Sequence, residues 1–504
     1  MILNLEKTKI RGCYIVKTKR FGDNRGWFME TISQKDLEAV GLPSKFLQGN
    51  LSMSEKAKTF RGMHYQSGDA VQGKLVNCIK GKVIDYIFDA RVGSPTYMQN
   101  VAVELDGDSM EPSLVYVPEG CLHGFYVDVA PAYFSYFVTN YYDQSRDGGV
   151  LGTDEHLGLD LSKQDFILSD KDKILPKWNE ANLEFTYSPR ILVTGALQGQ
   201  LGPDVVKELK KRGYRDIYAV DKEILDLTDS KKINELVNQY EPDIIFHCAA
   251  FTQVDLAQKN EELARKINSE ATKYLTEAAI HNNAKLIYIS TDYVFDGTKD
   301  GLYEIDDIPN PQSVYGKTKL EGEQFALEHN KTFIVRTSWV FGGLTTNNFV
   351  KTMLNLKDKL KEITVVNDQI GSPTYSKDLA KFLVDLSETE KYGIYHGNNA
   401  GYCSWYDFAK KIFEYANSDI KVLPVTTEEY YGTEQNIAKI KAALKEMKEK
   451  VNDNLTQEQI DKIIAPRPKN SKLNKDVIVN NGFNQFRNWE DALEEYMTIL
   501  KINE

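Results

Sequence analysis

The run Leu286-Ile-Tyr-Ile-Ser290-Thr291-Asp292-Tyr-Val-Phe-Asp-Gly297 is followed downstream by Ser313-Val-Tyr315-Gly-Lys-Thr-Lys319. The first segment is apolar and ends in hydroxyl groups, the pattern of a buried strand whose carboxyl end opens into a site. The second begins a helix, with Tyr315 and Lys319 one turn apart on the same face. A phenol titrates near pH ~10 and is a poor acid catalyst at neutral pH. An ammonium one turn away favours the phenolate, and the Thr291 hydroxyl can share the proton path. Such a group gives a proton to a carbonyl oxygen while a hydride arrives at carbon. The same spacing recurs at Tyr218/Lys222 and Tyr406/Lys410, where it reads as an ordinary helix-surface pair. Context separates Tyr315 from those two.

Strands and helices alternate around this stretch. Ile191-Leu-Val predicts a buried strand, Thr194-Gly195-Ala-Leu-Gln-Gly199-Gln200-Leu201-Gly202 a turn, and residues 203–212 an amphipathic helix closed by Gly213. Further strands are expected at 217–220, 243–248, 286–290 and 333–337, with long helices at about 258–281 and 315–328. This alternation predicts a doubly wound parallel sheet of Rossmann type that binds its ligand at the strand carboxyl ends. Glycines after a first strand let the backbone approach a pyrophosphate. Asp221 closes the second strand, where an acidic residue binds the adenosine ribose and favours NADH; neighbouring Lys222 leaves NADPH open.

Before about residue 185 the chain has a different character. Short β-branched runs at 74–79, 82–88, 101–105, 113–117, 124–127 and 134–138 are punctuated by Gly, Pro and Asp, and only 33–41 reads as helix. That pattern predicts an all-β barrel or sandwich. Polar residues fall at the strand ends: Arg25, Gln48, Asn50, Arg61, His64, Gln66, Lys74, His123, Tyr136 and Asp172. A lone histidine in a β domain is by default structural. His64, with Arg61 nearby and Lys74 in another strand, instead suits proton removal beside a carbonyl, where an enolate must be stabilised. Residues 174–188, with two prolines and no period, read as a linker. Trp178 and Phe185 within it predict packing against one domain.

At 504 residues the chain is long enough for two to four domains, and 41% apolar with 27% charged residues is ordinary for a globular protein. A net charge of −11 without a basic cluster speaks against a nucleic-acid partner. Five scattered cysteines form neither a CxxC pair nor a Cys/His cluster, which speaks against disulfides and zinc. No signal peptide and no membrane-length apolar run is present, so a cytoplasmic location is expected.

Two resemblances join these readings. Residues 10–173 resemble dTDP-4-dehydrorhamnose 3,5-epimerase, a cupin-type jelly-roll family, through FGDNRGWFMET, FLQGNLS, FRGMHYQ, QGKLV, VPEGCLHGF, TNYY and ILSDKD. The resemblance implies His64 as the base for the C5 and C3 protons, Asp172 as its orienting carboxylate and Lys74 at the enolate oxygen. Tyr136 would return a proton on the opposite ring face, while Arg25, Gln48, Asn50, Arg61 and His123 would hold the sugar and pyrophosphate. No metal is implied, because His64 lacks the His-x-His cluster of metal-using cupins. The chain departs from the family at Gly49, where Asp is usual, and at 149–154, where a tryptophan-containing segment is usual.

Residues of about 190–500 resemble dTDP-4-dehydrorhamnose reductase, of the extended short-chain dehydrogenase type, through GQLG, PDIIFHCAAFTQVD, ISTDYVFDG, VYGKTKLEGE, RTSWVFG, VVNDQIGSPT and APRPKNS. The resemblance implies that Tyr315 protonates the C4 oxygen, Lys319 lowers its pKa and binds the nicotinamide ribose, and Thr291 bonds the reacting oxygen. Gly195, Gly199, Gln200, Leu201, Gly202, Asp221, Asp226, Leu227, Ala249, Ala250 and Thr252 would line the cofactor, NADPH or NADH. Asp292, Val294, Arg336, Trp339 and Asn348 are candidates for the sugar nucleotide, beside a small substrate-binding subdomain. Two departures stand out. Gly195 and Gly199 are separated by three residues instead of the usual two, and 430–464 is an insertion. Its Ile437, Ile440, Leu444 and Met447 form a stripe, and a capping-box start follows at 456–459, so a solvated helical hairpin is expected.

The expected organisation is therefore an epimerase domain over 1–173, a linker over 174–188 and a reductase domain over 189–504, likened to families that commonly dimerise. The first half's product would be the second half's substrate: dTDP-4-dehydro-6-deoxy-glucose would become dTDP-L-rhamnose. Two alternatives stand: the same chemistry on another nucleotide sugar, or a reductase-like half that only binds or regulates.

Overall fold

Alternation of apolar and polar residues along the first part of the chain folds it as an antiparallel sheet. The protein is represented by a computed structural model that describes residues 2–159, 166–344, 346–433, 437–438, 441–442, 456, 460 and 463–503. The chain divides into two units, Met1–Ser188 and Pro189–Glu504. The stripe residues Ile440, Leu444 and Met447 and the capping-box residue Gln459 lie outside the described residues.

The first unit contains β1 (Ile2–Lys7), β2 (Tyr14–Thr18), β3 (Phe21–Asp23), β4 (Gly26–Phe28), β5 (Gln48–Ser54), β6 (Phe60–Gln66), β7 (Lys74–Asp89), β8 (Asn100–Asp106), β9 (Ser113–Val117), β10 (Cys121–Val138) and β11 (Asp147–Gly149). The main sheet runs β1-β2-β9-β7-β10-β6-β11, with β5 also on β10 and β8 also on β7. Runs that read as separate strands in the sequence are joined here. Lys74 to Asp89 form one strand of 16 residues and Cys121 to Val138 one of 18. Each changes partner halfway. β7 pairs β9 through 74–77 and β8 through 82–88, while β10 pairs β6 near its start and β5 through 132–138. The register between them slips between Val127 and Phe134, beside Gly81, whose φ of +75° and close approach to the Val129 and Pro131 carbonyls leave no room for a side chain. The bent layers enclose a core that includes Val76, Ile87, Val115, Phe125 and Phe134. Phe185 and Trp178 pack against Tyr65 and Phe88, so the segment after residue 174 lies on this unit.

The second unit is built on a six-stranded parallel sheet. Its strands are β12 (Ile191–Thr194), β13 (Ile217–Val220), β14 (Ile244–His247), β15 (Lys285–Thr291), β16 (Thr332–Thr337) and β17 (Gly393–His396), in the order β13-β12-β14-β15-β16-β17. Helices cover both faces: Val205, Leu209, Leu379 and Leu383 pack on one, and Ile233, Val237, Leu275 and Ala279 on the other. The strands, flanked on both sides, are continuous apolar runs. The chain reverses direction across the sheet between β12 and β14, a switch point that leaves a crevice at their carboxyl ends. A further cluster of Phe341, Phe408, Trp489 and Tyr496 joins the helices Trp405–Tyr415 and Trp489–Asn503.

The helix expected over 258–281 is broken. Val254–Lys259 and Glu261–Arg265 are short α-turns, Lys266–Glu270 is a π-turn, and Ala271–Asn282 completes the path. The wide turn carries Asn268, whose amide donates to the Phe251 carbonyl and the Thr318 hydroxyl and accepts from the Phe251 N–H. Such turns recur where a side chain is diverted from the helix ladder.

A buried ion pair ties β15, β16 and the helix Val314–Ala326. Arg336 donates to Glu323 at 2.9 and 2.8 Å, and Ser290 donates to the same carboxylate at 2.5 Å. Removing one partner strands a buried charge, so Glu323→Ala should cost about 3–5 kcal/mol in denaturant unfolding of this unit. The double variant Glu323→Leu/Arg336→Met should cost far less than the sum of the single ones.

Candidate active sites

In the first unit, β5, β6, β7 and β10 converge on a cavity of about 470 Å³ lined by Gln48, Asn50, Arg61, His64, Lys74, His123, Tyr136 and Asp172. His64 Nε2 lies 2.7 Å from Asp172 Oδ1. Asp172 sits in the short turn Asp170–Lys173, whose N-cap Ser169 accepts its N–H. Burial works to raise this carboxyl, but the bond and charge of His64 hold it below its ordinary value. With the proton on Nε2 donated to Asp172, Nδ1 is left as the base. Lys74 is lowered to about 8, burial outweighing the nearby charges of Asp147 and Asp85. Tyr136 is raised by burial against the charge of Arg61, which keeps its phenol protonated at neutral pH. His123 Nε2 bonds the buried Asp85 at 2.7 Å, and Gln48 donates to Asn50 at 2.8 Å.

Arg25 is not brought to this cavity. It stands on the exposed β3–β4 turn and bonds Asp23 at 2.6 Å. Residues that sequence reasoning passed over do line the cavity. Lys171 donates to Asp147 at 2.5 Å, and the Tyr142 hydroxyl donates to the same carboxylate at 3.2 Å. The signal for Lys171 was present in the ILSDKD block, beside Asp172.

In the second unit, a cavity of about 880 Å³ opens at the carboxyl ends of β12, β13, β14 and β15. Gly195, Gly199, Gln200, Leu201, Asp221, Asp226, Leu227, Ala249, Ala250 and Thr252 line it, as do Thr291, Asp292, Tyr315, Lys319 and Trp339. The glycine loop is folded tightly: a Cβ on Gly199 or Gly202 would stand 2.3 or 2.1 Å from the Gly195 carbonyl oxygen. Gly202 begins the helix Gly202–Lys211 and is buried behind the loop. Volume, loop and strand ends fit a dinucleotide.

Tyr315 and Thr291 share the cavity, where burial raises the phenol and the Thr291 hydroxyl lowers it in part. That hydroxyl donates to Asp292 Oδ1 at 2.9 Å and accepts the Tyr293 N–H at 3.2 Å. Ser313 caps the helix that carries Tyr315 by accepting the Gly316 N–H. Lys319 lies 2% exposed with Nζ 4.1 Å from the centre of the Tyr288 ring. Burial dominates both members of the pair. Lys319 falls to about 7, burial outweighing Glu323 and Cys248, and Tyr315 rises to about 12 despite the lowering influence of Thr291. The depression of the phenol anticipated from the spacing is therefore absent in this state, because desolvation of the buried phenol exceeds what lowers it. Asp292 is pushed up to about 6 by burial, against bonds from Ser471 and Thr291.

Three other sugar-nucleotide candidates stand apart from the cavity. Arg336 is locked to Glu323. Val294 is wholly buried with Phe295, Tyr303 and Leu473. Asn348 caps the helix Phe349–Lys357 and bonds the Gly342 carbonyl. Trp339 remains at the cavity wall, stacked on Trp405 at 3.8 Å; Trp405 also lines it and was not singled out in the sequence. Among the described residues, no group of three or more His, Cys, Asp and Glu is placed to hold a metal, and no helix is long and apolar enough to cross a membrane.

The first unit thus presents a histidine–carboxylate base in one cavity with a half-buried lysine, and the second a Tyr–Lys–Thr centre in a dinucleotide-binding fold: a proton-transfer enzyme and an oxidoreductase on one chain. Residues 189–502 match the family described as the RmlD substrate binding domain, and residues 7–180 match dTDP-4-dehydrorhamnose 3,5-epimerase. The chain belongs to the RmlD reductase family, preceded by a domain of the 3,5-epimerase family, and so combines two activities of dTDP-rhamnose biosynthesis. It is 44% identical to a dTDP-4-dehydrorhamnose reductase of Aggregatibacter actinomycetemcomitans over 45% of this chain and 79% of the relative. A Bacillus anthracis reductase solved with NADP is 42% identical, covering 62% of this chain and all of that one, with a TM-score of 0.54. A Bacillus anthracis 3,5-epimerase solved with TDP and pyrophosphate is 36% identical, covering 34% of this chain and 98% of that one, with a TM-score of 0.33.

The low value for Lys319 has a measurable consequence. Its folded pKa of about 7 lies below the ordinary lysine value of 10.5, so between those pH values the unfolded chain binds more protons and stability rises with pH. Below pH 7 the folded state bears the whole cost of the buried charge. Urea unfolding of this unit at pH 6.5, 8 and 9.5 should show that rise, up to about 1.4 kcal/mol per pH unit, and Lys319→Met should abolish it.

Proposed function

We propose that the two sites act in series on dTDP-4-dehydro-6-deoxy-glucose, the first inverting C5 and C3 and the second reducing the C4 ketone to give dTDP-L-rhamnose. The observation that carries the reading is the occurrence on one chain of His64 bonded to Asp172 at 2.7 Å in a cavity with Lys74, and of Tyr315, Thr291 and Lys319 lining a second cavity. In the first unit, read as a cupin-type jelly roll, His64 Nδ1 removes the proton next to the ketone. Asp172 holds the ring and stabilises the imidazolium. The Lys74 ammonium neutralises the enolate oxygen, and the Tyr136 phenol returns a proton on the opposite face. Gln48, Asn50, Arg61 and His123 hold the sugar nucleotide.

In the second unit, the glycine loop, Asp221, Asp226, Leu227, Ala249, Ala250 and Thr252 hold the cofactor, NADPH or NADH. The similar Bacillus anthracis reductase holds NADP. The cofactor supplies a hydride to C4. Tyr315 gives its proton to the C4 oxygen, Thr291 bonds that oxygen, and Lys319 orients the ribose and stabilises the phenolate left behind. Asp292 and Trp339 border the sugar. The reading places the enzyme in the cytoplasm as a homodimer, with the exposed apolar residues Phe21, Trp27 and Phe28 of the β3–β4 hairpin as the contact.

A coupled assay tests the whole reading. With this substrate and either cofactor, 340 nm absorbance should fall and NMR should identify dTDP-L-rhamnose. His64→Ala and Tyr315→Phe should each lower product formation by 100-fold or more. Tyr315→Phe should still exchange solvent deuterium into C3 and C5. Deuterium exchange by the native chain without cofactor oxidation would leave the second unit as a binding module.

The exchange reaction also has a pH signature. Lys74 must be charged to meet the enolate, and burial lowers it to about 8. Exchange should fall about tenfold per pH unit above 8, and Lys74→Arg, at whatever rate remains, should lose that limb.

A further inference from the structure

The residue that lengthens the glycine loop is accommodated by a side chain from the next strand. Between Gly195 and Gly199 the backbone bulges so that the N–H groups of Leu197 and Gln198 both donate to Asp221 Oδ2, at 2.9 and 2.5 Å. The Leu197 side chain is turned to solvent, 55% exposed, and the Gln198 amide donates to Glu223 at 3.2 Å. The loop is therefore pinned to the end of β13 at the corner of the cavity bordered by Asp221, Lys222, Glu223 and Asp226. That corner carries three carboxylates against one ammonium. Asp226 is fixed by the N–H and hydroxyl of Thr228 at 3.0 and 2.8 Å.

We infer that the clamp between Asp221 and the lengthened loop makes the second unit select NADH over NADPH, and that Asp221 is the residue that determines this choice. The inference rests on the proposed reading of this unit as a dinucleotide reductase and deepens it. In a dinucleotide fold, the adenosine ribose lies between the end of the second strand and the glycine loop. Free loop N–H groups there would welcome an anion. Here two of them already serve a carboxylate built into the protein. A ribose 2′-hydroxyl is a neutral donor and meets Asp221 as an acceptor. A 2′-phosphate brings a second anion to donors that are taken, into a corner whose net charge is negative, and Lys222 is a single counter-charge.

Binding to the full-length chain tests this without recourse to turnover. Tryptophan quenching and calorimetry with NADH and NADPH, and with the fragments 5′-AMP and 2′,5′-ADP, should show NADH and 5′-AMP at least tenfold tighter than their phosphorylated counterparts. Asp221→Asn keeps an acceptor for the loop but removes the charge, and should shift the NADH-to-NADPH affinity ratio by tenfold or more towards NADPH. Deleting Leu197 restores the two-residue spacing, dissolves the clamp and should shift the ratio the same way. A purely structural role for Asp221 would weaken both dinucleotides alike and leave the ratio unmoved, which would overturn the inference. Equal or tighter binding of NADPH by the native chain would overturn it as well, with the reductase reading intact. If neither dinucleotide binds, the reductase reading itself fails and the inference falls with it.

Discussion

The burial of Lys319 is the constraint around which the second unit is arranged. An ammonium removed from water loses hydration worth several kcal/mol, and the interior returns it only through fixed partners. At Lys319 those partners are the face of Tyr288 and, one helical turn further on, the Glu323 carboxylate. Glu323 is not free to move towards the lysine, because Arg336 and Ser290 hold both of its oxygens. The amine is thus left partly charged at neutral pH, in a place fixed by two strands and a helix. Asn268, on its widened turn, braces the same helix through Thr318, and its carbonyl accepts the Tyr288 hydroxyl. Each of these polar contacts is buried, and each makes the position of the next one definite.

The first unit reaches a comparable end by another route. Its base is half open to solvent and the carboxylate behind it is buried, so the imidazole can meet a substrate while its orientation stays fixed. Its lysine, like Lys319, is discharged more easily than a lysine in water. In both units an amine of lowered pKa stands where negative charge would appear during the proposed reactions, on the enolate oxygen beside Lys74 and on the Tyr315 phenolate beside Lys319. An amine that has already lost part of its hydration has less to surrender when a ligand closes over it.

Much of this was legible in the sequence, for local reasons. The apolar run 286–290, the Ser313 cap and the face shared by Tyr315 and Lys319 need only strand and helix geometry. The pairing of His64 with Asp172 across 108 residues has no local signal and came from family resemblance. Arg336 shows the limit most clearly. An arginine at the end of a strand that borders a ligand crevice reads as a ligand contact, and only its buried partner on a distant helix turns it inward. Asn348 was readable as a helix cap, since it precedes a periodic apolar run. Val294 follows Asp292 in a turn whose direction the sequence leaves open, and packing with Tyr303 and Leu473 decides it. The joined strands β7 and β10 were divided in the sequence reading because Gly81 and the segment near Pro131 look like ends. They are bends.

The bend in β10 also governs phase. His123 and Tyr136 line one cavity from the same strand, yet they are separated by an odd number of residues. In an unbroken strand that separation would send them to opposite faces. The slips in register between Val127 and Phe134 restore them to one side. The irregular segment therefore acts as a counter set to a particular parity. Losing or gaining a single residue there would leave every neighbouring hydrogen bond able to re-form while turning the proton donor away from its base. In this strand the length at the bend is therefore constrained more strictly than its composition.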